Sequence, residues 1–175
     1  MRLVKTLPYL LSLSAALGSA SALALPNDRE QPVRIQADSA QMDDKNKVAT
    51  YTGDVIITQG SMMIKGHTVT VTLNQAGDID TATSVGNLAY FEQQQDASKP
   101  DKMQGYAKQI QYQAGKDLIV LTDQAKVINA GNTTEGEKIV YNSKTQVATA
   151  GRGGKDIKTP RNRIDMVIQP KKKAE

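Results

Sequence analysis

Residues 48–60 read VATYTGDVIITQG, and this stretch decides the fold class. Ala49, Tyr51, Val55 and Ile57 follow the two-residue period of a β-strand that buries one face. The same alternation recurs on both sides of the stretch, at Val33 and Ile35 and at Val69, Val71 and Leu73. The sequence therefore predicts strands with one face toward a core and one toward water.

Turn-forming residues separate these runs, and no window shows the helical spacing of apolar residues. The predicted turns lie at 43–46, 59–60, 74–78, 114–116 and 130–132. At roughly 8 to 12 residues for a strand and its turn, the chain after residue 24 would hold about 13 to 18 strands. We therefore expect an all-β fold of many short antiparallel strands.

The chain also carries an internal repeat with an offset of about 70 residues. Residues 48–55 align with 118–125, and residues 64–69 align with 134–139. The alignment keeps Thr52 with Thr122 and Gly66 with Gly136. Because one such unit cannot bury its apolar face alone, stacked copies would form an elongated core.

Composition excludes most catalytic chemistry. The chain has 175 residues, no Cys, no Trp, one His and a net charge of only +4. These counts exclude disulfide scaffolds, thiol nucleophiles and Cys-ligated zinc, and they argue against nucleic acid as a partner. The paired carboxylates Asp43-Asp44 and Asp78-x-Asp80 occur in turn-like sequence, and His67 has no partner at catalytic spacing. We therefore expect no catalytic residue, no metal and no cofactor.

The first 24 residues predict a Sec signal peptide. Arg2 and Lys5 precede an apolar run at 7–17, and small residues favour cleavage after Ala24 or Ala22. The run is too short for a membrane anchor. The protein should therefore be exported.

The rest of the chain divides into a body at 25–150 and a final segment at 151–175. The final segment contains eight basic and three acidic residues. We expect it to hold the last strand or strands and a basic tail. The positive charge would attract the tail to an anionic surface or partner.

Four segments in order resemble the OstA-like family of periplasmic lipopolysaccharide transport proteins, to which LptA belongs. They lie at 32–39, 52–60, 105–107 and 135–141, and the resemblance extends from about Gln31 to Tyr141. It implies an open-ended β-jellyroll with an apolar interior that carries lipopolysaccharide across the periplasm. It also implies end-to-end joining with copies of itself, with LptC of the inner membrane and with LptD of the outer membrane.

The alternation predicts which residues point inward, and the resemblance implies that they contact the acyl chains of lipid A. The predicted interior residues are Val33, Ile35, Met42, Tyr51, Val55, Ile57, Val69, Val71, Phe91, Ile110, Tyr112, Ile119, Leu121, Ile139 and Tyr141.

Edge strands would supply the joints, because an unprotected edge offers unpaired backbone groups to another chain. The predicted N-terminal edge is Val33, Arg34, Ile35 and Gln36, and the predicted C-terminal edge is Ile164, Asp165, Met166, Val167 and Ile168. The resemblance assigns LptC to the first edge and LptD to the second.

Two other classes of function remain open on the residues alone. A diffusible lipid carrier of the lipocalin kind would form a closed barrel without free edges. An envelope hydrolase or polysaccharide-binding module would bring carboxylates together in a cleft.

Overall fold

The computed structural model describes residues 28–95, 101–151 and 163–170. The predicted signal peptide lies outside the described residues, as does most of the basic tail. The described residues form ten strands and two short 3-10 helices, Asp28–Glu30 and Ala114–Lys116. The strands are β1 (Val33–Gln36), β2 (Ser39–Asp43), β3 (Val48–Gln59), β4 (Met62–Leu73), β5 (Ile79–Gln94), β6 (Lys102–Gln113), β7 (Leu118–Asn129), β8 (Asn132–Asn142), β9 (Val147–Gly151) and β10 (Asp165–Val167).

All ten strands belong to one antiparallel sheet. The order is β1-β3-β4-β5-β6-β7-β8-β10; β2 also pairs with β3, and β9 also pairs with β8. The prediction of an all-β antiparallel fold is confirmed.

The sheet is folded on itself because every long strand bends near its middle. The register shifts between Thr52 and Val55 in β3, and comparable shifts follow in each neighbouring pair as far as β7 and β8. One half of each long strand therefore lies in a β2 layer, which ends in β2 and β9. The other half lies in a β1 layer, which ends in β1 and β10.

The bend explains why the described residues form ten strands, fewer than the roughly 13 to 18 expected for the chain after residue 24. Gly53 (φ 84°) and Asp54 (φ 39°) adopt positive φ and turn β3 without interrupting its pairing with β4. Such a bulge increases local twist and bends a strand. A residue pair that resembles a turn in sequence therefore lies within one long strand.

The same geometry confirms the internal repeat. Asp123 and Gln124, which align with Gly53 and Asp54, also have positive φ. Val55 lies opposite Gly66, and the equivalent residue Ala125 lies opposite Gly136. The two units are thus built on the same bend and the same register.

The core lies between the two layers. Phe91 of the β1 layer and Tyr112 of the β2 layer have ring centroids 6.2 Å apart. A Cβ on Gly105 would approach Leu121 Cδ2 to 2.8 Å, so the layers are in close contact. Among the described residues, the buried polar side chain is Ser84, whose Oγ donates to the Lys65 carbonyl at a bend (2.9 Å).

The bends line one side of the folded sheet, and the turns between strands end both layers on the other side. We call this second side the seam. It includes the β6–β7 turn of the β2 layer and the β3–β4 turn of the β1 layer. Within the described strands no bend joins the layers along the seam, so the links described across it come from loops and side chains.

Candidate functional site

Most of the predicted interior residues are buried between the layers. This group consists of Val55, Ile57, Val69, Val71, Phe91, Ile110, Tyr112, Ile119, Leu121, Ile139 and Tyr141, each at most 4% exposed. Ile35 and Tyr51 are half-buried and pack against the same cluster. Contact of these residues with lipid stays a prediction.

Two predicted interior residues are not buried. Val33 is 39% exposed and Met42 is 66% exposed. Both belong to the outermost strands of the described sheet, β1 and β2, so no further strand covers them. Alternation predicts the face of a strand, not whether a neighbouring strand covers that face, so it did not indicate that these two residues would be exposed.

Val33 and Met42 instead line a cavity between the layers at the β1–β2 end. Its volume is about 540 Å³, within the range of small-molecule pockets. Ile35 and Tyr51 contribute to its wall, together with Leu73. The apolar interior is therefore open at this end.

Sequence reasoning missed several interior residues. Met62, Ile64, Met103 and Val127 are at most 4% exposed and belong to the same core. Met62 and Ile64 continue the alternation of Ile57 after a two-residue turn at 60–61, so the pattern itself could have found them.

The 3-10 helix Asp28–Glu30 crosses the seam. Asp28 accepts hydrogen bonds from Ser61 N (2.7 Å), from Ser61 Oγ (2.8 Å) and from Gln93 Nε2 (2.8 Å), all in the β1 layer. Arg29 donates to the Ala114 carbonyl and to the Asp117 carboxylate, beside the β6–β7 turn of the β2 layer. We call this bridge the clasp.

A second link crosses the seam at Gln95. The Tyr141 hydroxyl of the β2 layer donates to Gln95 Oε1 (2.5 Å), and Gln146 Nε2 donates to the Gln95 carbonyl (3.3 Å). Burial raises the pKa of Tyr141 to about 12. The hydroxyl is therefore held as a neutral donor.

Tyr112 lies beneath the clasp. Burial raises the pKa of its hydroxyl, and the neighbouring Arg29 guanidinium opposes this rise. Arg29 is also the one cation among the described residues that line the cavity. The cavity thus combines apolar walls with one positive group, Arg29, and one negative group, Asp78.

The two predicted edge strands are outermost in the described sheet. Val33–Gln36 forms β1, with Ile35 opposite Ile57. At the other end the strand is shorter than predicted, because β10 contains Asp165–Val167 and excludes Ile164 and Ile168. The sequence analysis did not identify β2 and β9, which complete the two edges.

The candidate catalytic groups lie in turns or at the surface. Asp43 accepts hydrogen bonds from Asn46 N (3.0 Å) and Asn46 Nδ2 (2.7 Å), which lower its pKa. His67 is exposed, and Glu135 pairs with Lys126 (2.9 Å). Within residues 28–95, 101–151 and 163–170, no three His, Asp or Glu side chains converge as metal ligands would.

The described part of the chain contains no helix with the length and apolar character needed to cross a membrane.

A family model described as "LptA/(LptD N-terminal domain) LPS transport protein" matches residues 34–147. The chain belongs to this family. The match includes β2 to β8 and their bends, and nearly all of β1, so the family pattern covers both layers and the cavity wall apart from Arg29, Gln31 and Val33.

Individual members of the LptA family agree with this assignment. The lipopolysaccharide export system protein LptH of Pseudomonas aeruginosa is 56% identical over the full length of both chains. The lipopolysaccharide export system protein LptA of Escherichia coli K12 is 35% identical, with 81% of this chain and 76% of that protein aligned. The resemblance identified from the sequence is confirmed.

A solved structure has the same fold. It is the crystal structure of LptH, described as the LptA homologous periplasmic component of the conserved lipopolysaccharide transport device from Pseudomonas aeruginosa. The TM-score is 0.76 at 52% identity, with 83% of this chain and all of that chain covered. The predicted open-ended β-jellyroll is therefore confirmed.

Proposed function

We propose that this protein carries lipopolysaccharide through the periplasm, as one element of a bridge between the inner and outer membranes. The observation that carries the proposal is an apolar core, continuous between two layers, that opens into a cavity at a free end of the sheet. Membership of the LptA family and the export function named for its relatives support the same conclusion.

The cargo explains the apolar interior. A lipid that crosses water unshielded exposes the apolar surface of several acyl chains. This exposure costs about 25 cal/mol of free energy for each Å², which sums to tens of kcal/mol. Side chains such as Ile57, Phe91 and Leu121 offer contact without directional hydrogen bonds. Contacts of this kind shield the chains and still let them slide, while the sugar head group stays in water.

Entry of acyl chains requires a change in the core. Phe91, Ile110 and Ile139 have no exposed surface, so the described interior is filled by the protein's own side chains. The seam is the side on which the layers can separate, because loops and side chains alone link them there. We propose that lipid first occupies the cavity and then parts the layers along the seam.

Both ends of the sheet support assembly in series. Strand addition at an exposed edge uses backbone hydrogen bonds. We propose that β1 and β2 receive LptC, that β9 and β10 contact LptD, and that copies of this chain join between them. No catalytic step, metal or cofactor is part of this role.

Two alternatives fit less well. A closed carrier has no free edge, whereas the described sheet ends at β1–β2 and at β9–β10. A hydrolase or polysaccharide-binding module needs convergent carboxylates, whereas Asp43 caps a turn and Glu135 pairs with Lys126.

Site-specific photo-crosslinking tests the proposal. A photoreactive amino acid at Ile35, Tyr51 or Leu73 should crosslink to lipopolysaccharide, because these residues line the cavity. Ile56 and Thr70 are matched controls, since they neighbour interior residues on the same strands but lie on the opposite face. Equal crosslinking from both faces, or none from the cavity, would contradict an interior route.

A further inference from the structure

We propose that Arg29 is the head-group-recognising residue of the cavity, and that Asp117 holds it until a phosphorylated lipid takes its place. The inference rests on the proposed function, and it adds a specificity-determining residue and a ligand chemistry, an acyl-chain amphiphile with a phosphate head.

The first observation is the position of Arg29. It lies at the rim of a cavity whose wall is formed by Val33, Ile35 and Tyr51 among other apolar residues. An amphiphile that places a chain against this wall brings its head group to the rim. A guanidinium matches a phosphate well, because its fixed fork of N–H groups can donate two hydrogen bonds to one anion.

The second observation is that the two ends of the clasp differ in strength. Asp28 accepts three hydrogen bonds from Ser61 and Gln93 in partly buried surroundings. The Arg29–Asp117 pair is more exposed, with 42% and 30% of the side chains accessible. Exposed ion pairs contribute little to stability, so little free energy is needed to separate them. Asp28 is therefore the fixed anchor, and Arg29 is the releasable latch.

The third observation is that release of Arg29 would break one of the two links described across the seam. Arg29 contacts the Ala114 carbonyl and Asp117 in the β2 layer, whereas its own carbonyl accepts from Gln59 Nε2 (3.1 Å) in the β1 layer. When Arg29 turns from Asp117 and the Ala114 carbonyl to a phosphate, its link to the β2 layer is lost, while the Asp28 anchor and the link at Gln95 remain. Recognition of the head group would thus be coupled to access for the acyl chains.

Two substitutions with opposite expected effects test the proposal on the full-length mature protein. Arg29→Gln should weaken binding of bis-phosphorylated lipid A by at least about 10-fold, since a charge-assisted hydrogen bond is lost. Asp117→Asn should strengthen it by about 3- to 10-fold, because Arg29 is released from its competitor. Binding of dephosphorylated lipid A should change less than about 2-fold in both variants, since this lipid forms no ion pair with Arg29 and the exposed Arg29–Asp117 pair contributes little to holding the seam closed.

Two controls separate this role from general effects. Lys116→Gln removes an exposed cation of the same turn that does not line the cavity, and it should leave binding unchanged. Arg29→Lys should recover part of the lost affinity, because it restores the charge without the fork. Inorganic phosphate should not displace bound lipid A when it is added at the concentration at which lipid A saturates the protein.

The outcomes are distinct from those of the proposed function. If the wild-type protein binds neither lipid, the transport role fails. If it binds lipid A but Arg29→Gln and Asp117→Asn shift affinity in the same direction, or equally for both lipids, Arg29 is a structural tie and the inference is overturned. Binding of inorganic phosphate as tight as that of the lipid would also overturn it.

Discussion

The two ends of the sheet differ in how far the core is covered. At the β1–β2 end the clasp crosses the seam, and a cavity of about 540 Å³ opens between the layers. At the β9–β10 end Ile139 and Tyr141 are at most 1% exposed, so the core is covered right up to the last long strand. Outside that covered core, Met166 and Val167 of β10 are more than half exposed.

We propose that this difference gives the fold a direction. The first end offers an opening, a cation and a latch, which are features of a receiving end. The second offers a short exposed strand, which is suited to pairing with a following subunit. If the two ends have separate roles, substitutions at each end should have different effects.

The largest effect is expected for assembly. Neighbouring residues of β1 direct their N–H groups alternately toward β3 and toward the free edge. Of the two variants Arg34→Pro and Ile35→Pro, one therefore removes a donor from the free edge, and the other removes a donor that faces β3. The free-edge variant should lose end-to-end association at near wild-type stability, as measured by analytical ultracentrifugation. The other variant breaks pairing with β3 and serves as its destabilised control.

A mixture of two variants, each blocked at a different edge, tests the same assignment more stringently. A protein blocked at β1 and a protein blocked at β10 by Met166→Pro or Val167→Pro each retain one intact edge. Their mixture should form dimers and stop there. Longer oligomers in the mixture would contradict the assignment of one role to each edge.

The core should be far more sensitive than the exposed end. Ile57→Ala should lower the free energy of unfolding by about 2–5 kcal/mol, because it leaves a cavity in a fully buried position. Met166→Ala in β10 should change it by less than about 0.5 kcal/mol. Urea denaturation measures both, and similar losses would show that β10 packs as core.

The same residues show which parts of the core the sequence predicted. Alternation identified Ile57, Phe91 and Leu121, because a two-residue period fixes the face of a strand. It did not indicate the exposure of Val33 and Met42, because this exposure depends on which strand lies beside them.

Features that depend on distant parts of the chain were not predictable. Gly53-Asp54 resembles an ordinary turn locally, and only its pairing partner shows that it bends one strand. The clasp joins Arg29 to Asp117, 88 residues apart, with no local pattern to indicate it. The edges β2 and β9 were missed because their short runs have little apolar alternation.

The anchor of the clasp should contribute a smaller but measurable amount. Asp28→Ala should lower stability by about 1–2 kcal/mol, because it leaves Ser61 N and Gln93 Nε2 without a charged acceptor. At the opposite end, Asn132→Ala removes one exposed hydrogen bond from Gln169 N (2.9 Å) and should cost about 0.5 kcal/mol. Equal losses in thermal unfolding would remove the distinction between the ends.

Alkaline pH should weaken the second link across the seam. Because the folded pKa of Tyr141 is raised to about 12 from 10.0, its contribution is present below pH 10 and is lost as the pH rises toward 12. Between pH 9 and pH 11 the wild type should lose about 1 kcal/mol more than Tyr141→Phe. Equal pH dependence of the two urea midpoints would show that the hydroxyl is not held neutral.

The central claim is that the filled interior opens along the seam when lipid binds. The chain has no cysteine, so spin labels at Asp101→Cys and Lys116→Cys report one distance without competing sites. Both residues are exposed, and they lie just beyond opposite ends of β6, one in each layer. Pulsed electron paramagnetic resonance should show a longer and broader distance distribution when lipopolysaccharide is added. An unchanged distribution in protein shown to carry bound lipid would contradict the claim.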